Sequence, residues 1–242
     1  MDSEVKLGML QAVYAVYGEW AQNIPFACVK GCSHCCTQSV TMTTLEGELI
    51  AQYDQEGILD DFFKNSDNTI NYGGCSPLTT NQFARRCLAG EEVAFAGDSW
   101  QFSPCPFLHD KSCRIYPVRP FGCRSFGSLV PCAETGSAEV PPLVVTVNTV
   151  LVQVIEHIDQ GRPWGNMLDI LGMLHAERVE RRDGNNVLER GLTTRSILSE
   201  PLPGFLIPPE EQEQVHKVLT DLSAREVSGK PFRVWLEECG KG

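Results

Sequence analysis

The 242-residue sequence is short of positive charge: 20 Lys and Arg stand against 31 Asp and Glu, a formal net charge of −11. A chain this acidic is a poor general binder of phosphate backbones. Its arginine pairs, Arg85-Arg86 and Arg181-Arg182, are isolated and suit solvated helix faces, so no nucleic-acid partner is expected. Long apolar runs are missing too. The longest uncharged stretch, Val140 to Ile155, contains Pro141, Pro142, Asn148 and Gln153. It falls short of the roughly 20 apolar residues of a membrane helix, and no membrane partner is expected. The opening MDSEVKLGML carries Asp2 and Glu4 where an export signal has basic residues. There is no phosphate-binding loop, no G-x-G-x-x-G and no H-E-x-x-H, which removes the nucleotide-loop and zincin chemistries. No base is identifiable for a cysteine nucleophile. A cytoplasmic protein with reduced thiols is the expectation.

Cysteine is what the chain has in excess. There are 11, an odd number in a chain long enough to bury a core without covalent staples. Seven are clustered, as Cys28-x3-Cys32-x2-Cys35-Cys36 and, about 70 residues on, Cys105-x7-Cys113-x9-Cys123. Close spacing lets a short loop deliver several thiolates to one ion, and a second segment can close the site from the other side. Neighbouring side chains diverge in helix and strand alike, so Cys35 and Cys36 reach one ion only through a sharp turn. Seven thiols exceed the four of one tetrahedral zinc, which leaves a cluster or binuclear centre open. Cys75, Cys87, Cys132 and Cys239 have no close cysteine neighbour and read as buried free thiols.

The segments CVKGCSHCC and CPFLHDKSCRIYPVRPFGCRSF together resemble the YkgJ-like cysteine-cluster family of zinc- or iron-chelating proteins. The likeness runs through Cys28, Cys32, Cys35, Cys36, Cys105-Pro106-Phe107-Leu108, Cys113, Ile115-Tyr116, Arg119-Pro120 and Cys123-Arg124, within residues 25–128. The first gap, of three residues, and the long separation of the halves depart from the family pattern; the latter suggests a helical insertion near residues 50–100. The resemblance implies a metal site of those seven cysteines, with zinc or iron as cofactor, including a 4Fe-4S cluster as one form. It also places Arg119 and Arg124 beside the thiolates, where guanidinium groups offset excess negative charge. Pro106, Pro117 and Pro120 would fix the turns. His34 and His109 are not expected to be ligands, and His157, His175 and His216 read as packing or solvent-facing residues.

C-x3-C-x2-C is also the spacing of radical S-adenosylmethionine enzymes, which makes a methylase-like iron–sulfur enzyme the first alternative. A thiol–metal redox sensor is the second, since clustered thiolates release metal on oxidation. The barrel of such enzymes is not expected, because no strand–helix series surrounds the motif.

The fold reads as mainly α, with an irregular cysteine-rich, metal-stapled segment and a small β-hairpin. Helices are expected over 5–22, 43–55, 58–63, 79–95, 147–158, 168–181 and 209–222 from apolar periodicity. Thr43 and Glu46 are spaced for a capping box. A short strand is expected in TQSVTMT, a hairpin around HDKS and a loop over 66–78. One metal-binding domain is expected over 1–190, with 191–242 as an extension packed on it. A metal ion is expected as a partner, and the sequence identifies no protein partner.

Overall fold

A computed structural model describes residues 1–29, 31–54, 57–65, 78–93, 103–182 and 196–240. The expected loop at 66–78 falls almost wholly outside them, as do Cys75 and the start of the connection after residue 190. The described chain is mainly helical with small antiparallel sheets.

Helix α1 (Ser3–Ala21) starts at Asp2, whose side chain accepts from the Glu4 N–H. Of the apolar stripe Leu10, Val13, Tyr14, Tyr17 and Trp20 that predicts this helix, the first four are buried and Trp20 is half-buried. Strand β1 (Thr41–Thr43) runs into α2 (Thr44–Tyr53), and both halves of the Thr43–Glu46 capping box are formed. Asp54 then caps α3 (Ile58–Asn65), accepting from the Ile58 and Leu59 N–H groups at 2.7 and 3.0 Å. A second capping box, Thr79–Gln82, starts α4 (Thr80–Leu88).

The cysteine-rich stretch forms β2 (Leu108–His109), β3 (Ser112–Cys113), a 3-10 turn at Tyr116–Val118, α5 (Phe121–Arg124) and α6 (Cys132–Thr135). The uncharged run becomes α7 (Pro142–Ile158), starting at Pro142 after Pro141. Proline is tolerated there because the first N–H groups of a helix have no intrahelical partner. Strand β4 (Pro163–Asn166) leads into α8 (Met167–Arg182), and β5 (Ile197–Leu198) follows. A 3-10 turn at Pro209–Glu211 opens α9 (Gln212–Ala224), and β6 (Glu226–Val227), β7 (Lys230–Pro231) and α10 (Phe232–Cys239) complete the chain.

Helices α1 and α7 sit centrally: α1 packs on α2, α7 and α9, and α7 packs on α4, α9 and α10. Helix α8 covers α2 and α3. Val215, Val218, Leu222 and Phe232 from the last third join the same buried cluster as Leu10, Ile50, Phe107 and Phe121. β1, β4 and β5 form a three-stranded antiparallel sheet in the order β1-β4-β5, with Met42 opposite Gly165 and Pro163 opposite Leu198. At the end of β4, Asn166 Oδ1 accepts the Leu168 N–H at 2.9 Å while its Nδ2 donates to Gln38 O at 2.7 Å. That contact holds the end of the first cysteine loop against the sheet.

Candidate metal centre

The first cysteine group lies on the loop between α1 and β1. The loop is fastened at both ends. At one, the Ala27 N–H donates to Ser128 O at 2.8 Å, and Gly127 lies so close to the Phe26 ring that a Cβ there would meet it at 2.8 Å. At the other, the Cys105 N–H donates to Cys36 O at 3.0 Å, the Gln38 N–H donates to Ser103 O at 2.9 Å, and Thr37 forms a bridge with Pro104. The two cysteine segments are thus joined backbone to backbone.

Cys105 leads into the β2–β3 hairpin, in which Leu108 faces Cys113. Its two turn residues, Asp110 and Lys111, have φ of 46° and 60°. Positive φ at both central positions is what the right-handed twist of a two-residue hairpin demands. The backbone amides of Phe107 and Leu108 oppose the upward push on the Cys105 thiol, and that of Ile115 opposes it at Cys113. Such contacts favour the thiolate over the thiol. Pro106, which has no N–H, leaves the donor role to its successors. Cys123 lies on α5, whose Cys123 and Arg124 N–H groups both donate to Pro120 O at 3.0 Å.

Five thiols gather here: Cys105, Cys113 and Cys123 act electrostatically on Cys36, and Cys105, Cys113 and Cys35 on Cys123. A hydrogen bond between Cys35 and Cys36 splits that pair: it pushes the Cys35 thiol well up, helped by burial, and draws Cys36 down. Burial pushes Cys105, Cys113 and Cys123 up, and neighbouring thiolates push Cys123 further. Cys28, Cys32 and Cys35 are exposed, and Cys36, Cys105, Cys113 and Cys123 are half-buried. Among the described residues no three Cys, His, Asp or Glu side chains form a metal-holding set. The five sulfurs are gathered at electrostatic range, short of a coordination shell.

Arg119 stacks on Tyr116, 3.7 Å from the ring centre, and donates to Tyr116 O at 3.1 Å. Arg124 lies over Tyr14 at 4.4 Å and donates to Pro117 O at 2.8 Å, and its Nε is buried with no hydrogen-bond partner among the described residues. Neither guanidinium has a carboxylate within ion-pair distance among the described residues. Arg119 opposes the upward push on Cys35, Cys113 and Cys123. Burial, and then Arg119, pulls Arg124 down.

Glu46 is the residue that sequence reasoning missed as part of this site. Beyond its capping-box role it is 4% exposed, and its Oε1 accepts from the Phe121 N–H at 2.7 Å and from Tyr14 Oη at 3.0 Å. Its second partner is far along the chain, and no local pattern marks it.

The histidines lie elsewhere. His34 and His109 are exposed, the latter 3.2 Å from Asp110. His175 stacks on Phe63 and lies 3.3 Å from Asp60, His216 is exposed and His157 is buried. Of the solitary cysteines, Cys239 is buried as expected, while Cys87 and Cys132 are only half-buried. Next to α5 is a cavity of about 280 Å³ lined by Ser125, Phe126, Val145, Asn148 and neighbours, none of them ionisable. Set against known families, curated proteins and solved structures, the chain matches none.

Proposed function

We propose that this chain is a cytoplasmic metal-binding protein that holds zinc or iron through clustered thiolates, as its likeness to the YkgJ-like family implies. The observation that carries the reading is the gathering of Cys35, Cys36, Cys105, Cys113 and Cys123 from distant segments beside two guanidinium groups. The donor set fits a soft ion. Thiolates select zinc and iron–sulfur centres, and the amides acting on Cys105 and Cys113 favour the ligating form. Four thiolates around a divalent ion leave two negative charges in excess, which Arg119 and Arg124 would offset. The backbone pairing of Cys36 with Cys105 already meets most of the loop-closure entropy of joining the segments. Metal binding would therefore staple a segment that is held in place beforehand, and binding free energy would add to folding free energy. Among the described residues no helix is long and apolar enough to cross a membrane.

The test is metal analysis of protein purified without oxygen. Zinc in a colourless sample, or iron with sulfide in a brown one, is the expected result, and the two separate a zinc site from a cluster. Cys123→Ser should lose the metal while Cys239→Ser keeps it. Wild-type protein that binds neither ion, purified or reconstituted, would sink the reading.

A further inference from the structure

We propose that Arg119 and Arg124 form a binding site for a phosphate group, free or carried by a small molecule. The inference goes beyond the metal-binding reading and does not rest on it. Residues 111–133 carry Lys111, Arg114, Arg119 and Arg124 and no Asp or Glu, in a chain whose net charge is −11. Within that stretch the two guanidinium groups share one anchor, the 3-10 turn at Tyr116–Val118. The last carbonyls of a helical turn have no partner inside it. Arg119 Nη1 donates to Tyr116 O at 3.1 Å, and Arg124 Nη2 donates to Pro117 O at 2.8 Å. The two acceptors belong to successive residues, whose Cα atoms lie about 3.8 Å apart, so both guanidinium forks sit at the same end of the turn. Aromatic rings fix their planes, with Arg119 over Tyr116 at 3.7 Å and Arg124 over Tyr14 at 4.4 Å.

Capping the turn uses a single donor of each guanidinium, out of five. Among the described residues neither has a carboxylate within ion-pair distance, and the two are close enough for Arg119 to act electrostatically on Arg124. Glu46, which also acts on Arg124, is taken up by the Phe121 and Thr43 N–H groups and the Tyr14 hydroxyl. Two like charges held side by side call for a counter-ion. A phosphate monoester carries about −1.5 to −2 charges near neutral pH and three acceptor oxygens, which suits two cationic forks better than the single charge of a carboxylate. Arginine forks take phosphate oxygens in paired hydrogen bonds. The face is open: Tyr116 is 59% exposed, Pro117 and Gly122 are exposed, and both arginines are half-buried. The ligand is small, because a net charge of −11 repels a polyanion at long range.

The experiment titrates the protein, kept reduced with dithiothreitol, with inorganic phosphate, glycerol phosphate and acetate at fixed ionic strength. Heat and the nitrogen-15 signals of the guanidinium groups are the readouts. Inorganic phosphate should bind saturably at one site per chain, and acetate at least about tenfold more weakly, since a charge-assisted hydrogen bond is worth about that factor. Binding of glycerol phosphate as well would assign the site to a phosphorylated small molecule, and its failure to bind would assign it to free phosphate. Arg119→Ala/Arg124→Ala should weaken phosphate binding at least about tenfold by the same reasoning. Arg119→Lys/Arg124→Lys keeps the charges and loses the forks, and should fall between. Arg85→Ala/Arg86→Ala removes the same charge from α4, where Arg85 pairs with Glu200 and Arg86 with Glu91, and should bind as wild type does. Wild-type protein without saturable phosphate binding would overturn the site. So would equal losses in the two alanine pairs, which would reduce the effect to screening, or acetate binding as tight as phosphate. A lysine pair that binds as tightly as wild type would leave only charge, with no part for the forks.

Discussion

Glu46 Oε1 accepts the Phe121 N–H at 2.7 Å, so a carboxylate on α2 caps the helix that carries Cys123, with the partners 75 positions apart. The same oxygen receives the Tyr14 hydroxyl, and Oε2 receives the Thr43 N–H at 2.8 Å and the Thr43 hydroxyl at 3.1 Å. Burial raises the Glu46 pKa and these four donors oppose the rise. Glu46→Ala leaves the Phe121 and Thr43 N–H groups without their acceptor. A buried unsatisfied donor costs about 1–3 kcal/mol, so the expected loss is about 3 kcal/mol, read from urea unfolding. Glu46→Gln should lose less, since its amide oxygen can still serve one side. A Glu46→Ala variant as stable as wild type would remove Glu46 from the support of α5.

Asp159 gives the fold a pH dependence of defined sign. It is 0% exposed, accepts the Leu45 N–H at 2.8 Å and lies 3.1 Å from Arg162. Burial outweighs the Arg162 charge and pushes its pKa from 3.8 up to about 6. Between those values the folded state keeps a proton that the unfolded chain has lost, so this contribution to stability falls as pH rises from about 4 to 6. The rise is equivalent to about 3 kcal/mol. Asp159→Asn should therefore gain on wild type by about that much between pH 4 and pH 7, whatever its absolute stability. Parallel stability curves for the two proteins would refute this.

His157 is locked as a neutral ring. Its Nδ1 accepts the Leu202 N–H at 3.1 Å and its Nε2 lies 3.2 Å from Leu236 O. Those two partners require the Nε2–H tautomer, and burial lowers the pKa. A lowered histidine pKa stabilises the fold above the unfolded value of 6.5, and that contribution is lost as pH falls through the folded one. Nitrogen-15 spectra should show the Nε2–H tautomer persisting to lower pH than in the unfolded chain. Protonation with the same or a higher midpoint than in the unfolded chain would contradict the geometry.

Much of this scaffold was legible in the sequence, because its signals are local. Thr43 with Glu46, the stripe of α1 and the HDKS turn each depend on residues a few positions apart. Strand β4 is not among the expected elements, and its Pro163 and Gly165 are residues that strands usually lack. Proline can open a strand, and here Trp164 and Asn166 find partners on β1 and β5 that only the tertiary fold supplies. Helix α10 is eight residues long, too short for periodicity to stand out. At the site, clustering pointed to the thiols as a group. How the two groups meet depends on the pairing of Cys36 with Cys105, a contact between segments that no spacing encodes.

Two glycines should respond oppositely to alanine. Gly18, in α1, has nothing within 4 Å of a Cβ. Gly18→Ala should stabilise by about 0.5–1 kcal/mol through lower backbone entropy in the unfolded chain. Gly47, in α2, would place a Cβ 2.7 Å from Leu174 Cδ1, 3.1 Å from Ile170 Cγ2 and 3.2 Å from Met42 Cε. Overpacking of this kind costs about 1–3 kcal/mol, which exceeds the helix-propensity gain. Gly47→Ala should lower the thermal midpoint as Gly18→Ala raises it. A gain at both positions would mean that α2 and α8 are not in close contact.

Arg119 tests the charge balance of the proposed centre. It sits on Tyr116, has no carboxylate at ion-pair distance among the described residues, and acts electrostatically on three of the gathered thiols. If it offsets thiolate charge, Arg119→Ala should leave the number of bound zinc ions unchanged, because no ligand is lost. The metal should become easier to remove. Groups outside the ligand shell typically change metal affinity 10–100-fold, so release to excess chelator should be about tenfold faster. Arg119→Lys keeps the charge but loses the planar stacking on Tyr116, and should fall between the two. The order wild type, lysine, alanine in release rate distinguishes electrostatic support from packing. If Arg119→Ala releases zinc at the wild-type rate, the guanidinium has no part in holding the ion.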